Sequence, residues 1–121
     1  MNNMSDKEEF IEALKKRTKS LALEVIKLSR TLPVTDEAKV IGRQLLRSSS
    51  SVAANYRAVC RARSKAEFFA KLSITVEEAD ETCLWLELLI ESGIAHNKTT
   101  GELLKEAGEL TKILARARKN T

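Results

Sequence analysis

With 121 residues, 43% of them hydrophobic and 31% charged, the chain is long enough to bury one core without disulfides and is most simply a single domain spanning residues 1–121. Its formal net charge of +4 and pI near 9.2 suit a polyanionic partner without requiring one. Four glycines, one proline and 4% aromatics leave few chain breaks and an aliphatic core, the composition of long helices joined by short turns.

The opening MNNMSDKEEF holds no apolar signal region, and no stretch approaches the ~18 apolar residues of a membrane span. Cys60 and Cys83 lack a CxxC spacing and fall inside apolar helical stretches, where free thiols pack as small hydrophobes. These features predict a cytoplasmic location and no membrane partner.

Four helices follow from their start signals. Ser5 and Glu8 form an S-x-x-E capping box, and Phe10, Ile11, Leu14, Leu21, Val25, Leu28 and Leu32 recur at helical spacing until Pro33 interrupts the hydrogen-bond ladder. This predicts a helix over about 5–31. Thr35, followed by Asp36 and Glu37, caps a second over about 35–62, with Ile41, Leu45, Val52, Tyr56 and Val59 on one face. Ser64 and Glu67 start a third over about 64–92, with Leu72, Val76, Ala79, Cys83, Leu86 and Ile90 inward and Gly93 as a left-handed cap. Thr99 with Glu102 predicts a fourth over about 99–118, running through Leu103, Ala107, Leu110 and Leu114. Long helices of similar length with short connections make antiparallel neighbours. The expected fold is therefore all-α, an antiparallel up-down-up-down four-helix bundle.

Two surfaces of this bundle depart from the ordinary. The second helix carries Lys39, Arg43, Arg47, Arg57 and Arg61, with no acid between Ala38 and Ala66. At about 100° per residue these five fall within roughly 40° of one line, opposite the apolar face, as a stripe ~33 Å long. Ser50 and Ala54 interrupt the stripe with small side chains. Guanidinium groups over a small-residue floor suit phosphates. The alternative is salt bridging to third-helix acids, among them Glu77, Glu78, Asp80, Glu81, Glu87 and Glu91. The second surface is the stretch TCLWLELLI, apolar nearly all round, where Trp85 and, in part, Leu84, Leu88 and Leu89 point away from the expected core face; the alternative is that Trp85 lies flat on its own bundle. An aromatic flanked by leucines is an interface anchor, which predicts self-association.

Catalytic chemistry is not predicted. His96 is the single histidine, so no Glu-x-x-His pair exists for a di-metal bundle site, and Glu77 with Glu81 have no third ligand. The run Ser48–Ser51 has no histidine in its motif to activate a nucleophile, and the four glycines form no phosphate-binding loop. No metal, cofactor or enzymatic activity is expected.

Three segments, Arg47–Asn55 (RSSSSVAAN), Arg61–Phe68 (RARSKAEF) and the later EADETCLWLELL, occur in an order that resembles the four-helix bundle family of 23S ribosomal RNA intervening-sequence proteins. That family is related to the accessory variability determinant protein of diversity-generating retroelements. After Asn55 this chain reads Tyr-Arg-Ala, where many members read Ile-Ala-Glu-Gly, a change that removes an acid and a glycine. The resemblance implies an up-down-up-down bundle that assembles as a ring-like homopentamer; it brings no catalytic residues. The resulting expectation is a non-enzymatic, homo-oligomeric binding protein contacting structured RNA, DNA or another polyanion through Lys39, Arg43, Arg47, Arg57 and Arg61. Leu84, Trp85 and Leu88 are then expected at the oligomer interface. The competing expectation is a protein-interaction scaffold whose arginines form intersubunit salt bridges.

Overall fold

The computed structural model describes residues 4–121, and the fold follows the capping signals closely. Helix α1 spans Asp6–Ser29, α2 Asp36–Cys60, α3 Lys65–Glu91 and α4 Lys98–Lys119. At Ser5 both halves of the capping box form, the hydroxyl accepting from the Glu8 amide at 3.2 Å. Thr35 and Ser64 likewise accept from the amides of Ala38 and Glu67, at 3.2 and 3.0 Å. Gly93 has φ of 81°, a left-handed value that a side chain would strain, and it lets the chain leave α3 at once.

The start of α4 differs from expectation. Asn97, not Thr99, is the cap: its Oδ1 accepts from the Thr100 amide at 2.9 Å and from the Thr100 hydroxyl at 3.0 Å, so the helix begins at Lys98. Asparagine ranks with the best capping residues, and here it also satisfies a hydroxyl that is fully buried.

Each helix packs on its sequence neighbours, and α1 closes the ring of four against α4, as an antiparallel up-down-up-down bundle requires. The core is aliphatic, with Leu21, Leu45, Val52, Leu72, Leu86, Leu89, Leu110 and Leu114 almost wholly excluded from solvent. Polar groups inside it are paired locally. Thr82 Oγ1 donates to Ser48 Oγ at 2.9 Å across the α2–α3 contact, so a pair of buried hydroxyls ties the two helices together. Gly42 lets α2 pass close under the α1–α2 turn, where a Cβ would stand 3.2 Å from Leu32 Cδ1. The α1–α4 seam is closed by Arg17, whose guanidinium donates twice to Glu106, at 2.6 and 2.9 Å, and once to Glu109 at 3.2 Å.

The inward arc of α3 is wider than the spacing of its apolar residues suggested. Thr75, Thr82 and Leu89 are fully buried along with Leu72, Ala79 and Leu86, while Cys83 and Ile90 are only half-buried. The reason is that α3 packs on both α2 and α4. Thr82 serves the α2 side, and Cys83 turns to α4, with Sγ 3.8 Å from Thr111 Oγ1. Burial pushes both the Cys60 and the Cys83 thiol above their ordinary range, away from thiolate reactivity. Both cysteines are free. Among the described residues no helix is long and apolar enough to cross a membrane, and no three metal-ligating side chains cluster.

Candidate nucleic-acid interface

The five cations of the predicted stripe all emerge on the solvent side of α2 as exposed side chains, but they divide into different environments. Arg47 leans toward α3. Its Nη1 donates to Glu78 Oε2 at 3.0 Å, its Nη2 to Glu81, and its Nε to Gln44 Oε1 at 3.0 Å. The hydrogen bond to Glu81 and the charges of both carboxylates outweigh the opposing desolvation and push this guanidinium's pKa up, favouring its charged form. The salt-bridge alternative therefore describes Arg47, and the bridge lies within one chain, across α2 and α3.

The remaining four have no ion pair among the described residues. Lys39 and Arg43 border a shallow groove under the α1–α2 turn, beside Leu32, Pro33 and Gly42. Arg61 stands just past α2 as its C-terminal cap. Arg57 faces α1 across a groove of about 630 Å³ whose other walls include Lys15, Lys16 and Lys19. Helices α1 and α2 run antiparallel with their faces in contact, so the KKRTK run of α1 is carried alongside the C-terminal half of α2. Glu12 is the one carboxylate in the groove lining; it lies 3.2 Å from Lys15 and leaves Lys16, Lys19 and Arg57 uncompensated.

These α1 lysines were not in the predicted site. The lysine run is plain in the sequence, but its neighbour across the groove is 38 to 42 positions away and is supplied by the α1–α2 packing. Helix α3, in contrast, is strongly acidic, with seven carboxylates and two lysines, whereas α1 as a whole is mixed, with five carboxylates and six cations. The groove between α1 and α2 is thus locally basic, and the flank of α3 is locally acidic. A phosphate backbone would be attracted to the first and repelled by the second.

At the predicted oligomer interface, Leu84 and Leu88 are exposed at 46% and 39%, large values for leucines in mid-helix. Trp85 does not point away from the bundle. It is half-buried against the core cluster, with its indole Nε1 shielded from solvent and without a hydrogen-bond partner among the described residues. Trp85 lies four and seven residues after Glu81 and Glu78, and so on the flank of α3 that meets α2; that packing turns the ring inward. Of the three predicted interface residues only Leu84 and Leu88 are exposed, with Val40 of α2 open toward the same end of the bundle; Phe69 and Ile74 are further exposed apolar side chains of α3.

The described residues form an all-α four-helix bundle with a locally basic groove between α1 and α2 and an acidic flank on α3. The chain belongs to the 23S rRNA-intervening sequence protein family, whose model matches residues 12–116. A crystal structure from Bacteroides thetaiotaomicron, described as a protein with unknown function from the S23 ribosomal protein family, is 32% identical. It superposes with a TM-score of 0.78 over 88% of this chain and 98% of its own. No curated protein matches the chain.

Proposed function

We propose that this protein is a non-enzymatic, homo-oligomeric binding protein of the cytoplasm, assembling as a pentamer and contacting structured RNA.

 The contacts assigned to phosphates are Arg57, Lys16 and Lys19 in the α1–α2 groove, extended along α2 by Lys39, Arg43 and Arg61, while Arg47 ties α2 to α3. The observation that carries this reading is the groove itself: three unpaired cations from two helices converge on one open cleft of about 630 Å³, with one carboxylate in its lining. Exposed like charges held together repel one another, and a polyanion relieves that repulsion while releasing its own counterions. Five chains at +4 would give an assembly of about +20, enough to steer a polyanion from solution.

Self-association is assigned to Leu84 and Leu88, with Val40 beside them, because exposed leucines in mid-helix are the surface that a second copy would bury. Size exclusion with light scattering, recorded at 260 and 280 nm on protein purified without nuclease, tests both parts. The expected result is a peak near five times the 13.5 kDa chain mass, with excess absorbance at 260 nm that high salt removes. Leu84→Lys with Leu88→Lys should shift that peak toward the single chain. A wild-type monomer would contradict the assembly, and protein-like absorbance at every salt concentration would count against nucleic acid. A second reading, a scaffold that recruits another protein, is favoured by the same exposed leucines; it predicts the oligomer with no 260 nm excess.

A further inference from the structure

At the end of the bundle where α1 begins and α2 ends, two cavities adjoin. The inner one, about 260 Å³, is walled by Phe10, Ile11, Leu14, Val59, Phe68 and Leu72. The outer one, about 380 Å³, is bordered by Lys7, Arg63 and Lys65 around the α2–α3 turn. Lys7 and Phe68 line both, so the apolar chamber borders an open, cationic depression on the surface. No carboxylate lines either, and none of the three cations has an ion pair among the described residues.

We propose that this end of the bundle binds a single-chain anionic amphiphile, a medium-chain carboxylate, with its tail in the inner chamber and its head among Lys7, Arg63 and Lys65. Three features select that class. The inner chamber exceeds the ~150 Å³ void that accepts benzene, yet it is too small for a helix of ~10 Å diameter, so it takes a chain or ring and not a protein segment. Apart from Lys7 at the shared edge, its ionisable wall groups Tyr56 and Cys60 are kept neutral, because burial pushes both above their ordinary ranges. Charge is confined to the mouth, and it is positive. A phosphate backbone would use the mouth and leave the apolar chamber empty, whereas a carboxylate with a hydrocarbon tail uses both. The site shares no lining residue with the neighbouring groove of Lys16, Lys19 and Arg57, and the proposal does not rest on RNA binding.

Isothermal titration calorimetry with decanoate, kept below its micellar concentration, tests this on the intact chain, with decanol as the uncharged comparator. The expected result is saturable binding of one decanoate per chain. Lys7→Glu with Lys65→Glu, both at exposed positions, should weaken decanoate about tenfold and leave decanol unchanged. Ile11→Trp, which fills the chamber, should abolish binding of both, and Ala117→Leu provides a second plug from α4 if the first disturbs the helix content by circular dichroism. Absence of saturable decanoate binding would overturn the proposal. So would equal decanoate affinity in the charge-reversed protein, or full binding in a folded plugged variant.

Discussion

Reversing three charges, Lys16→Glu, Lys19→Glu and Arg57→Glu, is expected to lower affinity for structured RNA by roughly a hundredfold or more at moderate salt. All three side chains are exposed and free of ion pairs among the described residues, so their replacement removes nothing that holds the helices together. Each reversal exchanges an attraction for a repulsion at the phosphate. The three act together because they line one groove. Circular dichroism of the variant should match the parent, which separates lost binding from lost folding. Arg47→Ala is the matched control: it breaks the contacts to Glu78 and Glu81 and should affect RNA far less than the groove variant does. If Arg47→Ala proved the more damaging of the two to RNA binding, phosphate recognition would belong on the α3 side of the stripe.

The second large effect is on stability. Leu86→Ala should destabilise the fold by about 2–5 kcal/mol, because Leu86 is wholly buried where α3 packs on its two neighbours and the lost methyl groups leave a cavity. In urea the midpoint should fall while the slope of the transition stays the same, since the surface exposed on unfolding hardly changes. An exposed leucine on the same helix gives the contrast. Leu84→Ala, at a position 46% open, should cost the single chain little, and any larger loss would have to be concentration-dependent, arising from assembly. Equal, concentration-independent losses at the two positions would contradict the assignment of Leu84 to an intersubunit surface.

Much of the fold was legible because its punctuation is local. Ser5, Thr35 and Ser64 each cap the helix they were expected to cap, and Gly93 takes the left-handed conformation after α3, since these choices depend on a few neighbouring residues. Asn97 was missed for a local reason too: Thr99 and Glu102 imitate a capping box, and the better acceptor stood two residues earlier. Errors of a different kind concern which side of a helix is buried. The spacing of apolar residues on α3 could not reveal that Thr82 meets Ser48, or that Trp85 folds in against the core, because both depend on how α3 lies on α2.

The candidate interface shows the same division. The five cations on α2 share a line by helical geometry alone, and all five are exposed. Their partners are tertiary. Arg47 is taken up by Glu78 and Glu81, 31 and 34 residues away, while Arg57 acquires three lysines from α1. A stripe that looks uniform in sequence thus becomes one structural contact and a set of free cations, the densest of them in the groove.

The binding claim is tested most directly by the salt dependence of RNA affinity. Fluorescence anisotropy of a labelled structured RNA, titrated with the wild-type protein between about 50 and 200 mM salt, should give a log affinity that falls linearly with log salt concentration. Because each phosphate contact contributes about one unit of slope, the Lys16→Glu, Lys19→Glu, Arg57→Glu variant should show a slope shallower by about three. Wild-type affinity that does not change with salt, or a slope that the three reversals leave intact, would contradict a phosphate-binding groove between α1 and α2.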